Sequence, residues 1–296
     1  MATTSSDTQN LLTAQREGNG PGLRLFAAIL STVLLLLVLG AGIAAAQTFP
    51  DHFDTTQRED APDLSAVPSL RILAMTGFPP FSFRQANGEL TGYNIDLAKS
   101  MCAKLGVVCT IQAWPFEQAA DALADNQGDV LLGGLAITPE NVDRFDFSAI
   151  YLGFPARFVA LKQNADTFDP GDLGGKSIAV RVGGVHEEFL KDFLSLDALK
   201  PAPTEIEALA MVKSGAADLY FGDAMRASFW LNENLECCAF AGDAYYRPDI
   251  FGDGLAMAVP AGHDAVRNAV NWALQRLNRD GTLRELYLRW FPVGFY

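Results

Sequence analysis

Short apolar runs alternate along the chain with longer stretches that have the spacing of an amphipathic helix. Runs at residues 70–75, 107–113 and 129–132 predict buried strands, and the stretches between them repeat apolar residues at intervals of three and four. The order helix end, glycine, acid, apolar strand, glycine occurs twice, at residues 126–134 and 213–223. This repetition predicts two lobes of similar α/β design, each with a mainly parallel sheet.

Residues 133–148 join the third predicted strand to a short helix. Thr138 is the expected N-cap and Pro139 the expected first helical residue, and Glu140 suits the positive end of the helix dipole. Open α/β sheets hold ligands where a strand passes into a helix. An ordinary strand–helix turn has the same local pattern, so this stretch alone favours neither interpretation.

The later part of the chain continues the same pattern. Residues 177–180 and 218–221 are predicted strands, and residues 255–259 form a predicted returning strand. Thr282 and Glu285 have the spacing of a capping box at the start of the last helix.

Composition excludes several classes of protein. The 296 residues are 49% hydrophobic and include 26 glycines, which is typical of a globular α/β protein. A formal net charge of −13 argues against nucleic-acid binding, because Lys and Arg are too few to neutralise phosphates. His52, His186 and His263 are far apart and the cysteines lack the spacing of zinc ligands, so neither a metal nor another cofactor is predicted.

Residues 25–46 are almost wholly apolar, follow Arg24 and end in three alanines before Gln47. Residues 1–46 therefore predict a signal peptide cleaved after Ala46. The apolar run is also about long enough to span a bilayer, so an uncleaved membrane anchor stays open. Both interpretations place the rest of the chain in the periplasm, after a linker at residues 47–68.

Export exposes the four cysteines to an oxidising compartment. Cys102 lies near the end of a predicted helix, and Cys109 lies on the strand that follows it. Such a helix end and strand lie within disulfide range, so we predict this bridge. Cys237 and Cys238 are adjacent; a strained bridge between them, two thiols and external pairing all stay open.

Six motifs between residues 69 and 292 occur in a fixed order. They are Phe-Pro-Pro-Phe-Ser-Phe at 78–83, Gly-Glu-Leu-Thr-Gly-Tyr-Asn-Ile-Asp-Leu-Ala at 88–98, Ile-Thr-Pro-Glu at 137–140, Phe-Asp-Phe-Ser at 145–148, Gly-Lys-Ser-Ile-Ala-Val at 175–180, and Asn-Arg-Asp-Gly-Thr-Leu-Arg-Glu-Leu-Tyr-Leu-Arg-Trp-Phe at 278–291. In these motifs and their order the chain resembles the bacterial extracellular solute-binding proteins, family 3, which serve ABC importers of polar amino acids. The Cys102–Cys109 pair is also similar to a disulfide of some members.

The resemblance implies a two-lobe, type II periplasmic-binding-protein-like α/β fold. Each lobe has a mainly parallel sheet flanked by helices, and the ligand lies in the cleft between the lobes. The first lobe is expected at residues 69–157 plus 252–296 and the second at residues 158–245. Crossing segments are expected near residues 154–159 and at residues 246–251. Closure of the lobes around the solute is the expected hinge motion, and an ABC permease in the membrane is the expected partner.

The resemblance also implies a set of ligand-binding residues. Phe78 and Phe116 match aromatic positions that flank the ligand, and Gly134 matches a residue whose backbone faces it. Asp223 matches the acid that pairs with a ligand ammonium, a partner that offsets the cost of a buried carboxylate. Core packing is the alternative for the two phenylalanines, and a helix N-cap is the alternative for Asp223.

Three positions depart from the family pattern. Asn141 stands where members have the arginine that binds the ligand carboxylate, and a neutral amide lacks that charged fork. Ala136 replaces a hydroxyl residue, and Gly184 replaces a threonine. All three changes weaken carboxylate binding.

Several groups are candidates to replace the missing carboxylate clamp. The amides of Gly183 and Gly184 precede a predicted helix, where anions bind. Arg181 and Arg157 are the candidate charges. A ligand without an α-carboxylate is the remaining alternative.

The predicted function is therefore the non-catalytic, solute-binding component of an ABC importer for an amino-acid-like solute, an amine or an organic acid. Some proteins of this fold are dehydratases, and His186, Glu187 and Glu188 are the acid–base candidates for that alternative. The two glutamates also suit the dipole of the following helix. A sensory receptor that signals through a separate chain is the third alternative.

Overall fold

Two five-stranded sheets and the helices around them form the part of the chain that the structure describes. A computed structural model describes residues 49–50, 59–194 and 199–296. The predicted signal or anchor at residues 1–46 lies outside these ranges, as do residues 47–48 and 51–58 of the linker. None of the described helices is long and apolar enough to cross a membrane.

The strands agree in place with the apolar runs of the sequence. In chain order they are β1 (Ser69–Met75), β2 (Phe83–Arg84), β3 (Leu90–Thr91), β4 (Val108–Trp114), β5 (Val130–Leu132), β6 (Phe145–Phe147), β7 (Ala156–Leu161), β8 (Ile178–Arg181), β9 (Leu199–Ala202), β10 (Leu219–Asp223), β11 (Cys238–Tyr245) and β12 (Met257–Pro260).

The helices occupy the amphipathic stretches between the strands. They are α1 (Tyr93–Leu105), α2 (Phe116–Ala124), α3 (Pro139–Val142), α4 (Lys162–Ala165), α5 (Val185–Asp192), α6 (Glu205–Lys213), α7 (Ala224–Asn232), α8 (Pro248–Phe251), α9 (Asp264–Arg279) and α10 (Thr282–Trp290). A short 3₁₀ turn, Leu64–Ala66, precedes β1.

Local signals account for most helix ends. Gly106 ends α1 in the left-handed conformation, with φ +70°, and the Thr138 hydroxyl accepts the Asn141 amide at the start of α3. The capping box predicted at Thr282 is wrong, because the Thr282 hydroxyl donates to Asp280 and Gly281 is the N-cap. A capping box is present instead at the start of α6.

Each sheet is mixed, so the prediction of mainly parallel sheets is wrong. In the first sheet, ordered β4-β1-β5-β12-β6, β1 runs parallel to β4 and β5, whereas β12 runs antiparallel to β5 and β6. In the second sheet, ordered β11-β7-β10-β8-β9, β8 runs parallel to β9 and β10, whereas β7 runs antiparallel to β10 and β11. The antiparallel strands β7 and β12 each follow a segment that crosses from the other lobe, so no helical crossover sets their direction.

The chain runs side by side with itself next to the two expected crossing segments, before residue 154 and after residue 251. Leu152 and Leu255 form an isolated antiparallel bridge, in which the Leu255 amide donates to the Leu152 carbonyl at 2.7 Å. Gly254 has φ +106°, and a Cβ there would overlap the carbonyl oxygen of Leu152. The two-lobe α/β architecture is present, while the residue bounds given above for the lobes and the crossings stay a prediction.

Buried side chains cover both faces of each sheet. The largest core packs α1, α9 and α10 against the first sheet and contains six fully buried tyrosines and phenylalanines: Phe81, Tyr93, Tyr151, Tyr287, Phe291 and Phe295. Two further cores cover the faces of the second sheet. Strands buried on both faces become continuous apolar runs, which is why the sequence pattern located them.

Disulfides join all four cysteines in pairs. Cys102 at the end of α1 is bonded to Cys109 on β4, with 6.1 Å between the Cα atoms, which confirms the predicted bridge. Cys237 is bonded to its neighbour Cys238, so the bridge is the alternative that the structure adopts.

Candidate functional site

The carboxyl ends of three parallel strands meet at one edge of the first sheet. β1 is in register with β4 through Met75 and Trp114, and the next residue, Thr76, donates its amide to the Trp114 carbonyl at 2.9 Å. The segments that leave this edge carry Phe78, Phe116 and Gly134. Loops at this edge of an α/β sheet are where such folds hold ligands.

Phe78 and Gly134 lie next to each other at this edge. The Phe78 ring stacks on Phe81 with 4.6 Å between centroids, and its edge lies 3.6 Å from the position of a Cβ added at Gly134. The Leu255 side chain lies 3.3 Å from the same position, and Gly134 has φ +88°. Any side chain at residue 134 would therefore fill the space beside Phe78.

Phe116 is the first residue of α2, and 56% of its surface is exposed. Core packing is therefore the wrong explanation for this phenylalanine. A large exposed apolar ring just after the end of β4 suits a wall that a ligand covers.

Asn141 forms hydrogen bonds within its own loop. Its side-chain amide donates to the Ala136 carbonyl at 2.8 Å, and its backbone amide donates to Thr138. Ala136 itself is exposed. This loop is therefore stabilised by a neutral side chain that bonds to the loop's own backbone.

The second sheet presents Arg181 and Asp223 at one edge. β8 and β10 are adjacent and parallel, with Ala179 opposite Tyr220. Continuing this register by two residues places Arg181 level with Gly222, and Asp223 follows immediately. Adjacent strands are about 4.8 Å apart, so the two charged residues begin from neighbouring backbone positions.

Asp223 is a half-buried carboxylate without a cationic side chain at ion-pair distance among the described residues. Its Oδ1 accepts the Arg226 amide at 2.8 Å, so the predicted N-cap role is present at the start of α7. Burial raises the pKa of Asp223 to about 6, and the charge of Glu205 acts in the same direction. An amine at this position would restore the solvation that the carboxylate has lost.

Arg181 lies over the start of α5. Its Nη2 is 3.1 Å from the position of a Cβ added at Gly184, and the residue is exposed. The amide of Gly183 donates to Oε2 of Glu187 at 2.7 Å. The proposed anion cradle is therefore wrong for Gly183, because the protein's own carboxylate occupies that amide.

Arg157 is bound by the fold and is not a replacement clamp. Its guanidinium donates to the carbonyls of Tyr296 at 3.1 Å and Gly242 at 2.5 Å, and it stacks on the Phe240 ring. Burial lowers the pKa of this guanidinium. Arg157 thus connects β7 to β11 and to the C-terminal tail.

The acid–base candidates of the enzymatic alternative have structural partners. The His186 ring stacks on Phe251 at 4.9 Å, and burial lowers its pKa to about 4, with the charges of Arg181 and Arg226 acting in the same direction. Glu187 binds Lys191 at 2.6 Å as well as the Gly183 amide. His186 is therefore a neutral aromatic neighbour of the second core.

Sequence reasoning missed Tyr220, whose side chain is fully buried on β10. Its hydroxyl has no hydrogen-bond partner within the described ranges. A Cβ on Gly222 would overlap this hydroxyl, so the group lies beside the residue that precedes Asp223. The only sequence signal was a tyrosine within an apolar strand, and an apolar strand predicts burial without a polar role.

Comparisons with known proteins agree with this arrangement. The sequence profile of the bacterial extracellular solute-binding proteins, family 3, matches residues 70–293. The chain is 30% identical over 234 residues to ABC transporter arginine-binding protein 1 of Escherichia coli (strain K12), covering 77% of this chain and 93% of that protein.

Solved structures show the same fold. The unliganded, open L-cystine solute receptor of Neisseria gonorrhoeae has a TM-score of 0.67 at 22% identity, covering 77% of this chain and 94% of that one. An ancestral cyclohexadienyl dehydratase has a TM-score of 0.63 at 25% identity, covering 79% and 98%. With the family match over most of its length, this chain belongs to the bacterial extracellular solute-binding proteins of family 3.

Proposed function

We propose that this solute-binding protein delivers a small, amine-bearing polar solute to an ABC importer and that Asp223 holds the amine. The observation that carries the proposal is a half-buried carboxylate, with its pKa raised to about 6, at the carboxyl end of β10. The cost of burying this charge is offset when a cation binds to it. The family match and the name of the arginine-binding relative support a cationic or zwitterionic solute.

The first lobe supplies an uncharged wall. Phe78 and Phe116 offer aromatic faces, and Gly134 allows close approach of the solute to the backbone. Aromatic faces bind apolar groups and also attract cations. We infer that this wall contacts the body of the solute while its amine lies at Asp223.

Calorimetric titration of the exported chain with amino acids, amines, sugars and organic acids tests the proposal. We expect amine-bearing solutes to bind and Asp223→Asn to weaken them at least tenfold, since a charge-assisted bond is lost. Asp218→Asn, directly before the same strand and bonded to Ser177, is the matched control and should bind like the wild type. Binding confined to sugars or to acids without an amine, or binding unchanged in Asp223→Asn, would refute the proposal.

Binding without catalysis is the second part of the proposal. The similarity to a dehydratase is the observation that favours an enzyme, whereas the engagement of His186 and Glu187 within the second lobe favours a receptor. Incubation with cyclohexadienyl acids is expected to give no product. Turnover that disappears in His186→Gln would establish the enzymatic alternative.

The proposed location is the periplasm, with a membrane permease as partner. Residues 1–46 are proposed as the export signal, and residues 25–46 as a membrane anchor if cleavage does not occur. The mass of the exported protein distinguishes the two, because cleavage after Ala46 leaves a chain that begins at Gln47.

A further inference from the structure

We propose that Arg181 is the carboxylate-binding residue of this protein, so that the second lobe alone holds both charges of an α-amino acid. The inference rests on the proposed function, because it assigns the second charged contact of the same solute. It names Arg181 as a specificity-determining residue.

The guanidinium of Arg181 has no bonding partner within the described part of the protein. Arg226 on the same lobe pairs with Glu205 at 3.3 Å, and Arg157 binds two carbonyls. The Arg181 side chain forms neither a hydrogen bond nor an ion pair with any residue that the structure describes. A guanidinium at the end of a strand therefore remains available for a carboxylate, which it binds through two parallel hydrogen bonds.

The backbone around Arg181 also favours an anion. The guanidinium lies over Gly184, where α5 begins. The amides of Gly184, Val185 and His186 have no acceptor among the described residues. A positive helix end and a guanidinium on the same side make one anion site.

Gly184 makes this position of Arg181 possible. A Cβ at residue 184 would lie 3.1 Å from Nη2 of Arg181, and its three nearest neighbours outside the adjoining chain are atoms of that guanidinium. Glycine at residue 184, which departs from the family pattern, is therefore linked to the presence of Arg181. The side chain that is missing from residue 184 leaves the space that the guanidinium occupies.

Arg181 and Asp223 lie at the carboxyl ends of two adjacent strands. Arg181 is level with Gly222 in the register of β8 and β10, and Asp223 is the next residue. The buried Tyr220 hydroxyl lies beside Gly222 without a partner in the described part of the chain. It offers a third polar contact at the same strand ends, direct or through a water.

The first lobe supplies no competing charge at this point. Asn141 is neutral, and its side chain is committed to the Ala136 carbonyl. Both charged contacts therefore fall on the second lobe, and the first lobe contributes the aromatic wall of Phe78 and Phe116. The solute that satisfies all of these groups has an ammonium and a carboxylate on one carbon.

Matched pairs of amino acid and decarboxylated amine test the assignment, with arginine and agmatine, lysine and cadaverine, histidine and histamine, and phenylalanine and phenethylamine as probes. In wild-type protein, we expect the amino acid of a bound pair to bind at least tenfold more tightly than its amine. Arg181→Gln should reduce that ratio to about twofold or less, by weakening the amino acid and leaving the amine unchanged.

Two further variants make the test specific. Arg157→Gln should keep the wild-type ratio, because that guanidinium is bound within the fold. Gly184→Val should lower the ratio while Arg181 is still present, because the new side chain occupies the space of the guanidinium. Residue 184 has φ −111°, so valine is compatible with its backbone.

The failures of the two proposals are distinguishable. A wild-type affinity ratio of amino acid to amine near one would overturn the assignment of Arg181 and leave the role of Asp223 standing. The same conclusion would follow if the ratio were unchanged in Arg181→Gln while amino acids still required Asp223. Loss of the ratio in Arg157→Gln but not in Arg181→Gln would transfer the role to Arg157. Absence of binding by every amine-bearing probe would refute the proposed function itself.

Discussion

The contribution of Asp223 to the stability of the folded protein depends on pH. Its pKa is about 6 in the folded, unliganded protein, compared with an ordinary value of 3.8, and burial is the main cause. The folded state therefore binds this proton more tightly than the unfolded state does. The contribution of Asp223 to stability falls as pH rises from about 4 to about 6 and is constant above that window.

At the residue scale we predict that Asp223→Asn raises the stability of the unliganded protein at pH 8. Asparagine caps a helix about as well as aspartate and carries no charge to bury. The difference in unfolding free energy between variant and wild type should shrink as pH is lowered from 6 to 4. Urea denaturation at pH 4, 6 and 8 measures it, and a difference that does not change with pH would contradict the assignment of the raised pKa to Asp223.

Asp218 provides a control with the opposite sign. Hydrogen bonds from the Ser177 side chain and amide lower the pKa of Asp218. Its contribution to stability is present above the ordinary value of 3.8 and is lost only as pH falls through the lower folded value. Asp218→Asn is therefore expected to destabilise the protein by a nearly constant amount from pH 5 to pH 8.

At the element scale, the Cys102–Cys109 bridge fixes the end of α1 to β4. Closing a loop of this length lowers the entropy of the unfolded chain, which corresponds to about 2–3 kcal/mol in the chain-entropy description. We predict that the double variant Cys102→Ala, Cys109→Ala loses about that amount of unfolding free energy. Chemical denaturation measures the loss.

Reduction of the wild-type protein separates the bridge from the alanine substitutions. A reductant should destabilise the wild type and leave the double variant unchanged, if the Cys237–Cys238 pair contributes little through its very short loop. Equal stability of the oxidised wild type and the double variant would show that the bridge does not stabilise α1 and β4.

At the scale of the whole molecule, the crossing segments and the tail connect the lobes. The Tyr296 hydroxyl donates to the Gly153 carbonyl at 2.8 Å, and the Tyr296 carbonyl accepts from Arg157. Val293 packs against a core of the second lobe, whereas Phe291 belongs to the core of the first. The hinge is therefore braced by residues distant from it in sequence.

We predict that Gly254→Ala disrupts the contact between the two crossing segments. The new Cβ would overlap the Leu152 carbonyl oxygen. Gly252→Ala is the matched control, because residue 252 also has a positive φ, +96°, but nothing lies within 4 Å of its Cβ position. Both variants should lose about 1–3 kcal/mol through backbone strain, and Gly254→Ala should lose more.

Unfolding free energies of the two glycine variants measure this difference. Small-angle scattering with and without a bound solute then shows whether Gly254→Ala also changes lobe closure, for which the crossings are the hinge. Equal losses of stability in the two variants would contradict the close packing of the crossing segments.

The sequence by itself determined the order of helices and strands. Strands buried on both faces are apolar runs, and caps such as Thr138 and Gly106 act within a few residues, so these features are local. The Cys102–Cys109 bridge was predictable for the same reason, since its two ends lie on consecutive elements. The motifs also sufficed to identify the family over residues 70–293.

Only the tertiary structure decided which side chains are available to a solute. Arg157 and Arg181 both looked like free charges in the sequence, but the partners of Arg157 are Gly242 and Tyr296, which come from distant parts of the chain. The directions of β7 and β12 were also not determined by local sequence, because both strands enter their sheets from the other lobe. Apolar periodicity records whether a residue is buried; it does not record which distant polar group its side chain meets, and that pairing defines the site.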